Sequence, residues 1–168
     1  MKKLLVFLTA WTIAGVAQGQ ETLVGKPAPD ITAPTPAGPA LTLSSLRGKV
    51  VLIDFWASWC APCLQEQPAL KTLYRQQLNE FVRDGSFEIL GVSLDKNREN
   101  WVRAIERLGT PWPQVSDLKF WKSPIAKTYG LEGLPFNVIV SPNGHVIAAD
   151  LHRDALRDFL LQQLRSHR

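Results

Sequence analysis

Residues 55–63 read Phe-Trp-Ala-Ser-Trp-Cys-Ala-Pro-Cys and contain both cysteines of a 168-residue chain. What two thiols three residues apart can do depends on the backbone their flanks impose. Ahead of them, Lys49-Val50-Val51-Leu52-Ile53-Asp54-Phe55 is a nearly continuous apolar, β-branched run, the pattern of a strand buried on both faces of a parallel sheet. Behind them, residues 61–82 predict a helix, with Leu70, Leu73, Tyr74, Leu78, Phe81 and Val82 on one stripe and Gly85 closing it after Asp84. Pro68 lies inside that helix, where it removes the hydrogen bond to the Leu64 carbonyl and is expected to bend the axis. The cysteine pair therefore occupies a joint between a buried strand and a helix.

Positions i and i+3 share a helix face at a separation near the one a disulfide needs, so Cys60 and Cys63 can close a small ring without moving the backbone. So short a loop restrains the unfolded chain little, and the ring is poorly explained as a stabilising staple. At the helix start, Cys60 meets the positive end of the macrodipole and unpaired N–H groups, which favour its thiolate. Cys60 is thus expected to be the attacking sulfur. Pro62 suits the first turn, where a missing N–H costs nothing. Zinc binding and a purely structural disulfide remain the competing readings. A lone C-x-x-C supplies only two metal ligands, and His145, His152 and His167 lack paired ligand spacing and are expected to be solvated.

Two carboxylates and a proline also bear on the chemistry. Asp54 ends the apolar run six residues before Cys60. Partial desolvation beneath the sulfurs would raise its pKa and fit it to take a proton from the more buried Cys63; alternatively it is an edge residue bonded to backbone. Glu66, three residues past Cys63, either tunes the thiols or is one more exposed helix glutamate. Pro135, in Gly133-Leu134-Pro135-Phe136, precedes a predicted strand, and sequence leaves its peptide isomer open.

The rest of the chain supplies the frame. Residues 24–43 carry Pro27, Pro29, Pro34, Pro36 and Pro39 and predict an extended arm with a short hairpin near Gly38. Residues 87–93 predict a second strand, followed by a helix burying Trp101, Ala104, Ile105 and Leu108 and stopped at Gly109. This alternation implies right-handed crossovers and helices on both sheet faces. Residues 136–140, a turn at 141–144 and residues 145–151 predict an antiparallel hairpin, and residues 153–164 a last helix presenting Leu156, Phe159, Leu160 and Leu164.

At the amino end, Lys2 and Lys3, an uncharged apolar run over residues 4–16 and Ala17-Gln18-Gly19 predict a cleaved secretory signal over residues 1–19. A retained anchor is the alternative, although the run falls short of the ~20 residues that span a bilayer. Cleavage leaves residues 20–168 as a single domain of ordinary size in an extracytoplasmic, periplasmic setting, with no stable membrane insertion. Removing Lys2 and Lys3 from the 19 basic residues set against 15 acidic ones lowers the formal charge from +4 to about +2, too little to imply nucleic acid.

From residue 24 to about residue 164 the chain resembles the TlpA/ResA-like thiol-disulfide oxidoreductases of the thioredoxin superfamily. The resemblance is carried by Val24-Gly25-Lys26-Pro27-Ala28-Pro29-Asp30, Leu46-Arg47-Gly48-Lys49-Val50-Val51, residues 55–63, Glu66 with Pro68, and Tyr129-Gly130 through Gly133-Leu134-Pro135. It implies an α/β thioredoxin-like fold: a mixed central sheet flanked by helices, an N-terminal extension, and an insertion over residues 95–129 before a cis-proline at Pro135. It implies a redox-active disulfide in which Cys60 is the nucleophile and Cys63 the resolving thiol, with Glu66 as the active-site glutamate. Trp59, Ala61, Pro62, Leu134 and Pro135 would contact substrate, Leu134 through a strand-like backbone contact. Asp54 matches the buried aspartate of thioredoxin itself, where many relatives in the TlpA/ResA branch carry asparagine. The implied partners are client proteins with cysteines or disulfides, apocytochrome c among them, and a membrane thiol protein that donates electrons; no cofactor is implied. A reducing direction is expected, though oxidation is open because potentials are not legible in sequence. Two other classes compete: a peroxide reductase, whose lone peroxidatic cysteine with threonine and arginine is not visible where Ser58 and Trp59 precede Cys60, and a binding module with a structural disulfide.

Overall fold

The computed structural model describes residues 23–166; the expected signal segment and His167 lie outside the described residues. A five-stranded sheet runs in the order β5-β4-β3-β6-β7, and a separate hairpin pairs β1 (Thr32–Pro34) with β2 (Ala40–Thr42). The central strand β3 (Val50–Trp56) is buried along its whole length. It pairs in parallel with β4 (Phe87–Ser93) and antiparallel with β6 (Phe136–Val140). The edges are β5 (Gln114–Val115), parallel to β4, and β7 (Val146–Ala149), antiparallel to β6.

Strand pleating sorts β3 onto two cores. Val50 and Leu52 join Leu70, Leu73, Leu78 and Phe81 beneath α1 (Ala61–Thr72) and α2 (Asn79–Arg83), together with Leu156, Leu160 and Leu164 of α5 (Arg153–Ser166). Val51, Ile53 and Phe55 face the other way, toward Trp101 and Ala104 of α3 (Arg98–Leu108), Ala126 of α4 (Pro124–Thr128) and the arm residues Ala28, Ile31 and Ala33. Alternation therefore aims Asp54 at the α1/α5 side. Helix α3 stops where expected, with Gly109 in the left-handed region at φ 58°.

Several boundaries differ from the sequence expectation. The helix expected over 61–82 is broken: α1 gives way to a π-type segment at Leu73–Gln77, and Leu78 leaves helical geometry before α2 begins. The apolar stripe continues through the interruption, because Leu73, Leu78 and Phe81 all stay buried, so periodicity could not reveal it. Asp54 does not end its strand, since the ladder continues through Phe55 and Trp56. The two-residue β5 was not expected; it follows Pro111 and Pro113 and is held by a tertiary contact. The last hairpin strand is shorter than 145–151.

That contact fixes a glycine. Gly91 pairs with Gln114 across β4 and β5, and a Cβ on Gly91 would fall 2.1 Å from Gln114 Oε1. The same Oε1 accepts the buried Trp56 Nε1–H at 2.9 Å, so moving it would strand that donor. Gly91→Ala is expected to destabilise the protein by about 2–3 kcal/mol in urea denaturation, from overpacking plus one unsatisfied buried donor. An unchanged midpoint would contradict this account of the edge.

Candidate active site

The joint between β3 and α1 is held from the side by one buried carboxylate. Asp95, just past β4, accepts Ser58 N–H at 3.0 Å and Ser58 Oγ–H at 2.6 Å, while Ser93 Oγ–H donates to the same carboxylate at 2.7 Å. Leu94 N–H donates to Trp56 O at 2.9 Å, and Cys60 N–H to Ala57 O at 3.1 Å. With the turn fixed at both ends, Cys60 becomes the N-cap of α1: its backbone is extended (φ −87°, ψ 95°), and its Sγ accepts Cys63 N–H at 3.3 Å. Ala61 and Pro62 form the exposed first turn, Pro62 needing no N–H partner there.

Cys60 and Cys63 are joined by a disulfide, with an S–S distance of 2.06 Å and Cα atoms 5.3 Å apart. They are not equally reachable through their surroundings, for Cys60 is 5% exposed and Cys63 1%. Trp59 stands out from the turn, 46% exposed. The peptide between Leu134 and Pro135 is cis. Loop 130–135 is delivered by α4, through Leu131 N–H to Ala126 O at 3.0 Å and Gly130 N–H to Lys127 O at 3.1 Å. The Tyr129 ring packs at a tilt against Phe55, with centroids 5.2 Å apart, and its hydroxyl donates to Pro29 O at 2.6 Å, tying the loop to the arm.

A cavity of about 450 Å³ opens between α1 and α5, lined by Cys63, Pro135, Asp54, Glu66, Gln67 and Asn137 among others. It brings Asp54, Pro62, Glu66 and Pro135, all singled out from sequence, to one side of the disulfide. Asp54 is 9% exposed and accepts Gln67 Nε2–H at 2.8 Å. Burial pushes its carboxyl up to about 6; the Gln67 hydrogen bond works against that, the Glu66 charge adds to it, and the His152 charge subtracts. Gln67 Oε1, also buried, has no partner.

His152 is not the solvated residue the sequence suggested. Its Nδ1 lies 3.1 Å from Glu66 Oε2 and its Nε2 3.0 Å from Asp150 Oδ1. Partial burial alone would lower its pKa, but the hydrogen bonds and charges of Asp150 and Glu66 raise it. Asn137 places it: opposite Asp54 in the ladder, Asn137 donates from Nδ2 to Leu151 O at 2.6 Å and accepts Leu151 N–H at 3.2 Å. His145 instead lies by its own turn, near Asn143. Gln67, Asn137 and His152 were thus missed as site residues. A signal existed for one of them, since Gln67 falls on the stripe of Leu70, where a polar side chain needs a reason. Among the described residues, no group of three or more His, Cys, Asp and Glu is placed to hold a metal ion.

Residues 24–149 match the AhpC/TSA family. Among curated proteins, the thiol-disulfide oxidoreductase ResA of Geobacillus thermodenitrificans is 32% identical over 123 residues, covering 73% of this chain and 66% of that protein. The thiol:disulfide interchange protein CycY of Rhizobium leguminosarum bv. viciae is 30% identical, over 65% of this chain and 53% of its own length. DsbE, a thiol:disulfide interchange protein of Xylella fastidiosa, is 30% identical over 87% of this chain and 69% of that protein. The chain spans roughly half to two thirds of the length of these relatives. Among solved structures, the thioredoxin domain of a thiol-disulfide oxidoreductase from Bacteroides vulgatus superposes with a TM-score of 0.74 at 34% identity, over 83% of this chain and 96% of that one. A thiol-disulfide oxidoreductase from Bacteroides fragilis gives 0.74 and 34%, over 82% and 98%. The fold is thioredoxin-like, a mixed sheet flanked by helices.

The raised Asp54 has a thermodynamic signature. The folded chain holds this proton to about pH 6, whereas the ordinary value is 3.8, so between these limits the folded state binds more protons and stability falls as pH rises. The full loss is on the order of 3 kcal/mol. For the oxidised protein, the stability advantage of Asp54→Asn over wild type is expected to be small near pH 4 and to widen to about 2–3 kcal/mol by pH 7.5 in parallel denaturation curves. A gap that does not change with pH would show that Asp54 titrates normally.

Proposed function

The chain belongs to the AhpC/TSA family, in its TlpA/ResA-like branch, and we propose that it is an extracytoplasmic thiol-disulfide oxidoreductase that reduces disulfides in client proteins. One observation carries this reading: Cys60 sits at the head of α1 with a backbone N–H on its sulfur, bonded to a second cysteine that lines a cavity together with the buried Asp54 carboxyl. A thiolate at that position is stabilised before any substrate arrives.

The reduced enzyme works in two steps. The Cys60 thiolate attacks one sulfur of a client disulfide, forming a mixed disulfide and expelling the client's other sulfur as a thiolate. Cys63 then loses its proton to the Asp54 carboxylate, and its sulfur attacks Cys60 Sγ. The Cys60–Cys63 bond forms, the client's second thiolate leaves, and two electrons have passed to the client. An acceptor tuned to about 6 suits this task, since it is ionised at neutral pH yet more basic than an ordinary carboxylate. Gln67 orients it, and Glu66 and His152 adjust the charge it feels. Pro135 and Leu134 face the client segment, with Pro62 beside Pro135 at the cavity, Ala61 exposed in the first turn of α1, and Trp59 on the side of Ser58 and α3.

The basic, apolar and small-residue pattern over residues 1–19 supports export followed by cleavage, leaving a single domain from residue 20. A membrane thiol protein re-reduces the disulfide there, and cytochrome c maturation or general thiol repair supplies the clients. Among the described residues, no helix is long and apolar enough to cross a membrane.

With a dithiol as electron source, the protein is expected to catalyse insulin reduction. Cys60→Ser should drop turnover to the uncatalysed level, and Cys63→Ser should accumulate mixed disulfides with the client, visible by non-reducing electrophoresis. Full activity in Cys60→Ser would refute the assignment of roles. Peroxide consumption without insulin reduction would point to a peroxide reductase, and neither activity to a binding module. Amino-terminal sequencing of the exported protein should begin near residue 20; an intact amino terminus would contradict cleavage.

A further inference from the structure

The side of the disulfide away from the Asp54 cavity is built differently. Trp59, Phe120 and Trp121 form one surface cluster, with ring centroids of Trp59 at 5.1 Å from Phe120 and 6.3 Å from Trp121. All three are exposed, at 46%, 37% and 40%, and the only other exposed large hydrophobic residue among those described is Val24. Water contact on three aromatic rings at one place is unfavourable in an isolated chain and marks an interaction surface.

The turn that presents Phe120 and Trp121 is held in place. Leu118 and Phe120 both have positive φ, at 56° and 55°, a region non-glycine residues rarely adopt. Asp117 fixes the turn, accepting Lys119 N–H at 3.1 Å and Ser123 Oγ–H at 2.6 Å, while Ser116 Oγ accepts Leu118 N–H and donates to Ser93 O at 2.8 Å. Ser93 is also a partner of Asp95, so the aromatic turn and the Cys60 turn hang on the same end of β4.

The rim of this cluster is basic. Lys119 and Lys122 flank the aromatic pair in sequence, and Arg103 and Arg107 of α3 line a recess beside Ser58 and Trp59. Arg103 pairs with Glu99 at 2.7 Å, whereas Lys119, Lys122 and Arg107 have no carboxylate partner among the described residues. Asp117 is occupied by its turn. On the opposite side of the disulfide, Asp54, Glu66 and Asp154 line the cavity together with Arg153 and Arg157, and the acids are engaged, Asp154 with Arg157 and Glu66 with His152, while Lys119, Lys122 and Arg107 stand on the aromatic side.

We propose that the Trp59–Phe120–Trp121 cluster and its basic rim are a docking surface for a partner protein whose cysteine is neighboured by an apolar side chain and by acidic residues. The apolar side chain fills the aromatic surface, the acidic residues meet Lys119, Lys122 and Arg107, and the partner's sulfur is thereby presented to Cys60. This selectivity rests on the thiol-disulfide function proposed above and says which partners that function selects.

Three disulfide-closed peptides identical except for flanking pairs of Glu, Gln or Lys beside a Cys-Leu step test it. The measurement is the single-turnover rate constant for their reduction by pre-reduced full-length protein at low salt. The acidic peptide is expected to react at least about tenfold faster than the basic one, with the ratio shrinking as salt is added. Lys119→Glu combined with Lys122→Glu should invert or abolish the order, and Phe120→Ala with Trp121→Ala should slow all three peptides by about tenfold. Equal rates for the three peptides, a Lys119→Glu/Lys122→Glu variant that keeps the wild-type ratios, or a Phe120→Ala/Trp121→Ala variant that keeps the wild-type rates would overturn the docking surface. Reduction of uncharged 2-hydroxyethyl disulfide by the unmodified protein registers the thiol chemistry alone. Its absence would count against the proposed function, whereas its presence without peptide preference would count against the docking surface only.

Discussion

The structure turns on a sulfur at the head of a helix. Cys60 Sγ stands in the place an N-cap oxygen usually fills and accepts Cys63 N–H at 3.3 Å. A negative sulfur satisfies that donor better than a neutral one, and the macrodipole adds to the preference by up to ~2 kcal/mol when the geometry is partly buried. Each 1.36 kcal/mol is about one unit of pKa, so these two effects are enough to bring an ordinary thiol near neutrality. Much of the remaining fold serves to hold that position. The buried strand β3 supplies a rigid approach, Asp95 clamps Ser58, and the arm and α4 carry Pro135 up to the sulfurs.

Around this point the protein is two-sided. Toward α5, a carboxylate lies on the α1 side of β3 because pleating puts it there, and burial raises its pKa to about 6, the property on which its proposed role as acceptor of the Cys63 proton rests. The Glu66–His152–Asp150 chain lets neighbouring charges modulate that acceptor without touching it. Toward α3, the surface is aromatic and basic, and the buried carboxylate there, Asp95, is engaged by Ser58 and Ser93. Residues 119–122 do not line the Asp54 cavity, so the aromatic cluster can vary without altering the surroundings of that carboxylate.

How much of this was legible in the sequence follows from the range of each interaction. Strands β3 and β4, helix α3 and the β6–β7 hairpin were visible because burial writes a period of two or 3.6 directly into neighbouring residues. The capped position of Cys60 was visible for a similar local reason: Pro62 marks the first turn. The burial of Asp54 is legible in its apolar neighbours, but a charge in an apolar run looks like a strand boundary, whereas the ladder continues past it through Trp56. The contacts between Glu66 and His152, 86 residues apart, and between Trp59 and Phe120 depend on tertiary placement, and no local pattern encodes them. The π-type segment left no trace because it keeps the same side chains buried. Strand β5 is two residues long, and its pairing with β4 rather than its own propensity makes it a strand.

The most direct test is the ionisation of Cys60 in the reduced protein, followed by thiolate ultraviolet absorbance as pH is raised, with Cys63→Ser as the single-thiol reference. The helix-capped sulfur is expected to ionise at least about one unit below the ~8.5 of a free cysteine. A Cys60 that titrates at or above that value would mean that neither the Cys63 N–H nor the helix favours its thiolate, and the mechanism built on it would not stand.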